Sequence, residues 1–283
     1  MRCACRSIGL SVIALLLAAA STAVVTAEDA ATAEKILKLP VRSRVEAFKG
    51  SGDYREVALE TEFPATQTAL VICDVWDRHW CQNATRRCDA LARQMAPLVE
   101  AARAAGVQIV HAPSGTMDFY RDTPARLRAV KAAPVEPPAD LPLADPKLPI
   151  DDSDGGCDDV PESKYYQAWS RQHPAIAIAD PDIVSDDGRE VFSYLHAHGV
   201  KHVIVMGVHT NMCVLGRSFG IRQMTRWGMR TLLIRDLTDT MYDPKDPPHV
   251  AHEAGTELVV QHIEKYWCPS TTREAVLATL SPR

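Results

Sequence analysis

Basic charge is scarce in this chain. Lys and Arg number 31 against 36 Asp and Glu, a formal net charge of −5 at pH 7. A surface of that sign repels polyphosphate, so no nucleic-acid partner is expected. No glycine-rich phosphate loop follows a strand pattern; Gly155-Gly156 lies instead in an acidic stretch. Internal repeats are absent. Beyond an N-terminal run, residues 8–25, nothing is apolar enough to span a membrane. What remains is about 250 residues, enough for one α/β domain with a sizeable core.

The N-terminal run has the pattern of a secretory signal peptide. Arg2 and Arg6 precede the apolar residues, and Val25-Thr-Ala27 supplies a small-residue cleavage site. Retention as an anchor is the alternative, against which the small Ala, Ser and Thr residues argue. Cys3 and Cys5 lie before the run, so no lipid-bearing Cys follows it. Cleavage after Ala27 removes two Arg and no acid, taking the charge from −5 to −7. The expected location is secreted or periplasmic, with no membrane partner after processing. Six Cys then remain, at 73, 81, 88, 157, 213 and 268. An oxidising compartment permits disulfides. Cys81, Cys88, Cys157 and Cys268 lie in loops or near helix ends and allow three pairings. A Cys157–Cys268 bridge is preferred among them, tying an insertion to the C-terminal segment.

Apolar periodicity predicts alternating strands and helices. Residues 28–67 form an N-terminal extension, in which 28–39 read as a loose helix and 55–63 alternate like an edge strand or hairpin. Strands are expected at 69–75, 107–111, 175–179, 201–208, 230–235 and 257–260. Helices are expected at 84–105, 187–198, from about 211 to 227, and at 249–254. Gly106, Gly199 and Gly228 end three elements of this series. The alternation predicts a doubly wound parallel sheet with helices on both faces. Residues 132–172 keep no period; they hold six prolines between 134 and 149 and then the acidic run 151–159. So long an irregular stretch in a compact domain reads as a lid over the strand ends. The acidic run could hold Ca²⁺, but it lacks EF-hand spacing, and a solvated acidic turn explains it as well.

Two strand ends carry chemistry. The run Val203-Ile-Val-Met-Gly-Val-His-Thr-Asn-Met-Cys-Val-Leu-Gly216 reads as a buried strand that opens a helix near Asn211, with Cys213 in its first turn. Unpaired N–H groups and the positive helix end would lower the thiol's pKa and could receive an oxyanion. The bland alternative is a small residue packed against the sheet. The strand at 69–75 reaches Asp74, on the same carboxyl-end rim where α/β sheets bind ligands. An acid beside a thiol can serve as its base; alternatively Asp74 merely caps the next element. His111 falls on the same rim, as a pocket residue or as a hydrogen-bonded structural one. His79 and Cys81, with Asp77 and His111, could compose a metal site. No metal or other cofactor is expected.

These residues resemble the isochorismatase-like cysteine hydrolases, which include nicotinamidases. The resemblance rests on Leu70-Val-Ile-Cys-Asp74 and on Gly207-Val-His-Thr-Asn-Met-Cys-Val214, and it extends over residues 68–266. It implies a six-stranded parallel sheet in a domain at 68–283. It implies that Cys213 attacks a carbonyl carbon and that Asp74 handles protons. It also implies a cis Val208–His209 peptide, with the His209 and Cys213 N–H groups forming an oxyanion hole. Trp76, His79, His111 and Thr210 would then contact a small-molecule substrate. Two family features are missing. No Lys occurs near the end of the strand before the Cys motif, so Arg171, Lys164 and Arg78 are the candidates to replace it, and Arg171 is preferred. Nicotinamidases carry a metal on an Asp-x-His pair after strand two, and residues 112–118 lack that pair. Three functions follow: an exported cysteine amidase, an isochorismatase-type vinyl-ether hydrolase needing the Asp but no Cys, and a binding protein on a degenerate scaffold. Self-association is left open.

Overall fold

Every residue of β3 (Thr68–Cys73) is buried, as a strand covered on both faces requires. A computed structural model describing residues 34–280 sets β3 within an eight-stranded sheet. The other strands are β1 (Ile36–Glu46), β2 (Tyr54–Pro64), β4 (Gln108–Ala112), β5 (Ile183–Val184), β6 (His202–Val208), β7 (Arg230–Asp239) and β8 (Ser270–Thr271). Their order is β2-β1-β8-β7-β6-β3-β4-β5. The six strands from β8 to β5 are parallel, as expected, and the antiparallel hairpin β1–β2 extends one edge.

Side-chain alternation sorts the core into two layers. Ala69, Val71 and Cys73 of β3 join one cluster, and Leu70 and Ile72 join the other. The first layer is roofed by α3 (Pro124–Lys131), α4 (Gly188–Ala197), α5 (Ile221–Arg226) and α6 (His252–Tyr266). The second is covered by α1 (Gln82–Ala104) and α7 (Arg273–Leu280). A short α2 (Met117–Tyr120) packs near α3. Among the described residues no helix is long and apolar enough to cross a membrane. The signal-peptide expectation lies outside the described residues.

Four elements differ from expectation. Residues 36–39 open β1 of the hairpin instead of lying in a helix. Residues 175–179 are irregular, and β5 supplies the third parallel strand. The Ile176 carbonyl is taken by Gln172 and the Ala177 carbonyl by Arg103, so the segment makes no ladder pairing, and of its side chains only Ile176 is buried. Residues 257–260 belong to α6, where Val259, Val260 and Ile263 bury one helical face; β8 is the sixth parallel strand. The long helix after the Cys motif is broken into a π turn, Thr210–Val214, and α5. Gly220 stands between them, and a Cβ there would lie 2.8 Å from the Val214 carbonyl oxygen.

The strand order places the chemistry. From β3 the chain winds to β4 and β5 on one side; β6, β7 and β8 lie on the other. The order therefore reverses between β3 and β6, and a crevice opens there at their carboxyl ends. Gly207 allows the close approach: it pairs with Cys73, its φ is +130°, and a Cβ would lie 2.0 Å from the Cys73 carbonyl oxygen.

Candidate active site

Asp74 follows β3 directly and Cys213 follows β6 within the π turn, so both side chains meet at the switch point. Asp74 takes a left-handed conformation, φ +48°, held by its N–H to Ala112 O at 3.1 Å. Its buried carboxylate receives two donors: Ser114 N–H reaches Oδ1 at 2.7 Å and Arg217 Nε reaches Oδ2 at 2.9 Å. The Cys213 thiol lies close enough to influence the carboxyl by hydrogen bonding. Arg217 lies one helical step beyond the thiol; its own N–H donates to Cys213 O at 3.0 Å. The Val208–His209 peptide is cis. The His209 backbone N–H bears on the Cys213 sulfur.

Protons sit differently here from the sequence-based expectation. Burial dominates at Cys213, and the Asp74 charge adds to it, so the thiol is pushed up to about 12 despite Arg217 and the His209 N–H. Helix-end stabilisation is too weak to offset this, because the π turn seats the sulfur against a carboxylate. Burial also raises Asp74 above the usual carboxylate range, opposed first by the Arg217 guanidinium and then by the thiol and Ser114. The thiol therefore keeps its proton at rest, beside the Asp74 carboxyl. Burial lowers His79 to about 4 and His209 to about 3, so both rings are neutral near pH 7.

Aromatic rings border the site. Trp76 stacks on Trp169 of the insertion at 4.4 Å and lies 6.0 Å from His79; the His79 ring meets His209 edge-on at 4.8 Å. Other expected contacts lie elsewhere. The His111 ring is wholly buried between Gln172 and Asp182, 2.8 Å from each, so neither ring nitrogen is left for a ligand. Thr210 is spent on Thr238 at 2.7 Å. Arg171 lies over the Phe119 ring at 5.6 Å, while its backbone holds Asp77. The cation on Asp74 is Arg217, which the sequence pattern did not single out. Its signal was the spacing Cys213-Val-Leu-Gly-Arg217; a search confined to the preceding strand misses it.

The insertion is pinned at several points. Cys157 pairs with Cys81, not Cys268, which is a buried thiol. Asp159 accepts the Gln82 and Asn83 N–H groups at the start of α1, and Asp158 pairs with Arg87. Residues 163–172 bring Trp169 over Trp76, whereas Leu141 and Asp145 bind Arg226. The candidate metal cluster is dispersed: Cys81 is in a disulfide, His111 is saturated, and Asp77 binds Ser170. Cys81, Cys157 and Asp159 do approach one another, but the two sulfurs are bonded. At the end of β4 the Ser114 N–H is spent on Asp74, and no Asp-x-His pair follows. These residues do not fit a nicotinamidase-type metal.

Nothing among curated proteins matches the chain. A solved cysteine hydrolase from Pseudomonas syringae pv. phaseolicola 1448A is similar, at 16% identity and TM-score 0.49, over 77% of this chain and 94% of that one. An isochorismatase from Pseudomonas putida KT2440 is 14% identical at TM-score 0.47, over 75% and 91%. An isochorismatase family protein from Burkholderia thailandensis is 18% identical at TM-score 0.43, over 76% and 96%. The Isochorismatase domain model matches residues 68–261, which include both strand ends and the π turn. The chain belongs to the isochorismatase family, and its fold is that of this group of hydrolases.

Proposed function

We propose that the protein is an exported cysteine hydrolase that cleaves an amide or related carbonyl bond of a small molecule. The observation that carries this reading is the contact of one buried carboxylate with both a thiol and a guanidinium, Asp74 with Cys213 and Arg217. Asp74 takes the thiol proton as sulfur attacks the carbonyl carbon. The oxygen gains the negative charge and is held by the His209 and Cys213 N–H groups. Collapse expels the amine, which carries away the proton from Asp74 and leaves a Cys213 thioester. Water, deprotonated by Asp74, then attacks the thioester, and the proton returns to sulfur as the acid departs. Arg217 stays charged throughout and cannot act as an acid near neutral pH, so Asp74 alone carries protons. Trp76 and His79 line the approach, and Arg171, His111 and Thr210 have no contact role in this scheme.

The binding-protein alternative drew its support from the missing family Lys, and Arg217 weakens it. Vinyl-ether hydrolysis needs no thiol and leaves the Cys213–Asp74 contact without a purpose. Export is supported by the pattern in residues 1–27 and is compatible with the Cys81–Cys157 disulfide. The test is amine release from a panel of small amides by wild type and Cys213→Ala, with intact mass measured after acid quench. Turnover in wild type should disappear in the variant, together with any acyl adduct. Full turnover by Cys213→Ala would sink the thiol mechanism.

A further inference from the structure

We infer that the pocket between the start of α1 and the insertion is a subsite for an anionic aromatic group of the substrate; this rests on the reading of Cys213 as nucleophile. The pocket encloses about 600 Å³, within the range of small-molecule sites. Its lining combines three rings, His79, Trp80 and Tyr166, with three cations, Arg78, Arg86 and Lys164. Such a cluster is out of keeping with a chain of net charge −5. Most arginines of the described residues meet a carboxylate, as Arg87, Arg103, Arg126 and Arg217 do. Arg78 and Lys164 meet none among the described residues, and Arg86 donates only to the Asn83 side chain.

The carboxylate that feels Arg86, Asp159, is already engaged. Asp159 accepts from the Gln82 and Asn83 N–H groups and from the Ser163 hydroxyl, and lies beside Arg86. The first N–H groups of α1 are thereby spent, so an incoming anion must be held by side chains. Guanidinium and ammonium donors do this for either carboxylate or phosphate. Trp80 and Tyr166 offer ring faces for a planar body.

The pocket shares a wall with the nucleophile. His79 lines it, and the same ring meets His209 edge-on at 4.8 Å; the His209 N–H bears on the Cys213 sulfur. His79 is uncharged near pH 7, so selection for anions falls to Arg78, Arg86 and Lys164.

Calorimetric titration of the full chain at low salt with 2-naphthoate, 2-naphthyl phosphate and neutral 2-naphthol tests the charge selection. At least one anion should bind about 10-fold or more tighter than 2-naphthol, and the tighter of the two names the group. Arg78→Gln with Lys164→Gln should weaken it about 10-fold while leaving the thermal midpoint unchanged, because both side chains are exposed and unpaired. The bound anion should also slow alkylation of Cys213 by iodoacetamide about fivefold or more. Equal binding by wild type and variant, no binding of either anion, or binding without protection of Cys213 overturns the subsite. Failure of Cys213 to react in the ligand-free protein overturns the nucleophile reading instead, whatever the titration gives.

Discussion

The Cys213 thiol keeps its proton at rest, and this shapes how activity should depend on pH. Attack requires Asp74 ionised so that it can accept that proton. Burial raises Asp74 above its ordinary value, so turnover should rise with pH through a midpoint above the usual carboxylate range and be lost as pH falls through it. Arg217 is the main group opposing that rise. Arg217→Gln should therefore move the midpoint further up and cut kcat about 10²-fold or more. Arg217→Lys should leave the midpoint near that of wild type. An unchanged pH profile in Arg217→Gln would deny the guanidinium its electrostatic role. Asp74 was legible because a buried strand must end somewhere and Asp74 stands there, and Cys213 because it lies in the first turn after another such strand. Arg217 was not, because its one signal, the spacing from Cys213, gains meaning only once the turn is seen to aim position 217 back at position 74. His111 shows the reverse: a strand-end His read as a pocket residue is satisfied on both nitrogens by Gln172 and Asp182. Its partner Asp182 is pushed up by burial, yet its bonds from His111 and Arg103 bring it down to about 2.

The turn after β6 sets the geometry on which those side chains depend. Gly207 brings β6 against β3, and any Cβ there meets the Cys73 carbonyl. Gly207→Ala should cost about 3 kcal/mol and lower the thermal midpoint, since neither backbone can yield without moving Asp74 or Cys213. A variant as stable as wild type would show that the two strands have slack. The insertion is held by a different device. Cys81 and Cys157 are 76 residues apart, so their bond closes a long loop. Cys81→Ser with Cys157→Ser should cost about 2–4 kcal/mol in chemical denaturation, and no loss would mean that the noncovalent anchors, Asp158 and Asp159, suffice. Sequence pattern located α1 and α4 within a few residues because their apolar positions recur at helical spacing and Asp187 caps the second. It misplaced the third and sixth parallel strands because β5 and β8 have only two residues each, too few to show any period. It chose the wrong partner for Cys157 because loop cysteines carry no directional signal.

The whole molecule places its chemistry by winding. The reversal of strand order between β3 and β6 opens the crevice that Asp74 and Cys213 share, and the doubly wound sheet was readable from alternation alone. The hairpin β1–β2 was legible only as an edge element. It is fastened by Glu264, whose buried carboxylate receives Arg42 at 2.7 Å and Arg44 at 3.2 Å, a contact 220 residues away that no local pattern encodes. The same fold buries the other thiols. Cys73, Cys88 and Cys268 are raised first by desolvation, and none of them contacts a carboxylate side chain in the way that Cys213 contacts Asp74. The most direct measurement is the rate of iodoacetamide alkylation at each cysteine near pH 7, mapped by peptide mass spectrometry in wild type and Asp74→Asn. Cys213 should react at least about 10-fold faster than the three buried thiols, and that advantage should vanish in Asp74→Asn. Inert Cys213 in wild type, or equal rates with and without the Asp74 carboxylate, would contradict a nucleophile activated by that residue.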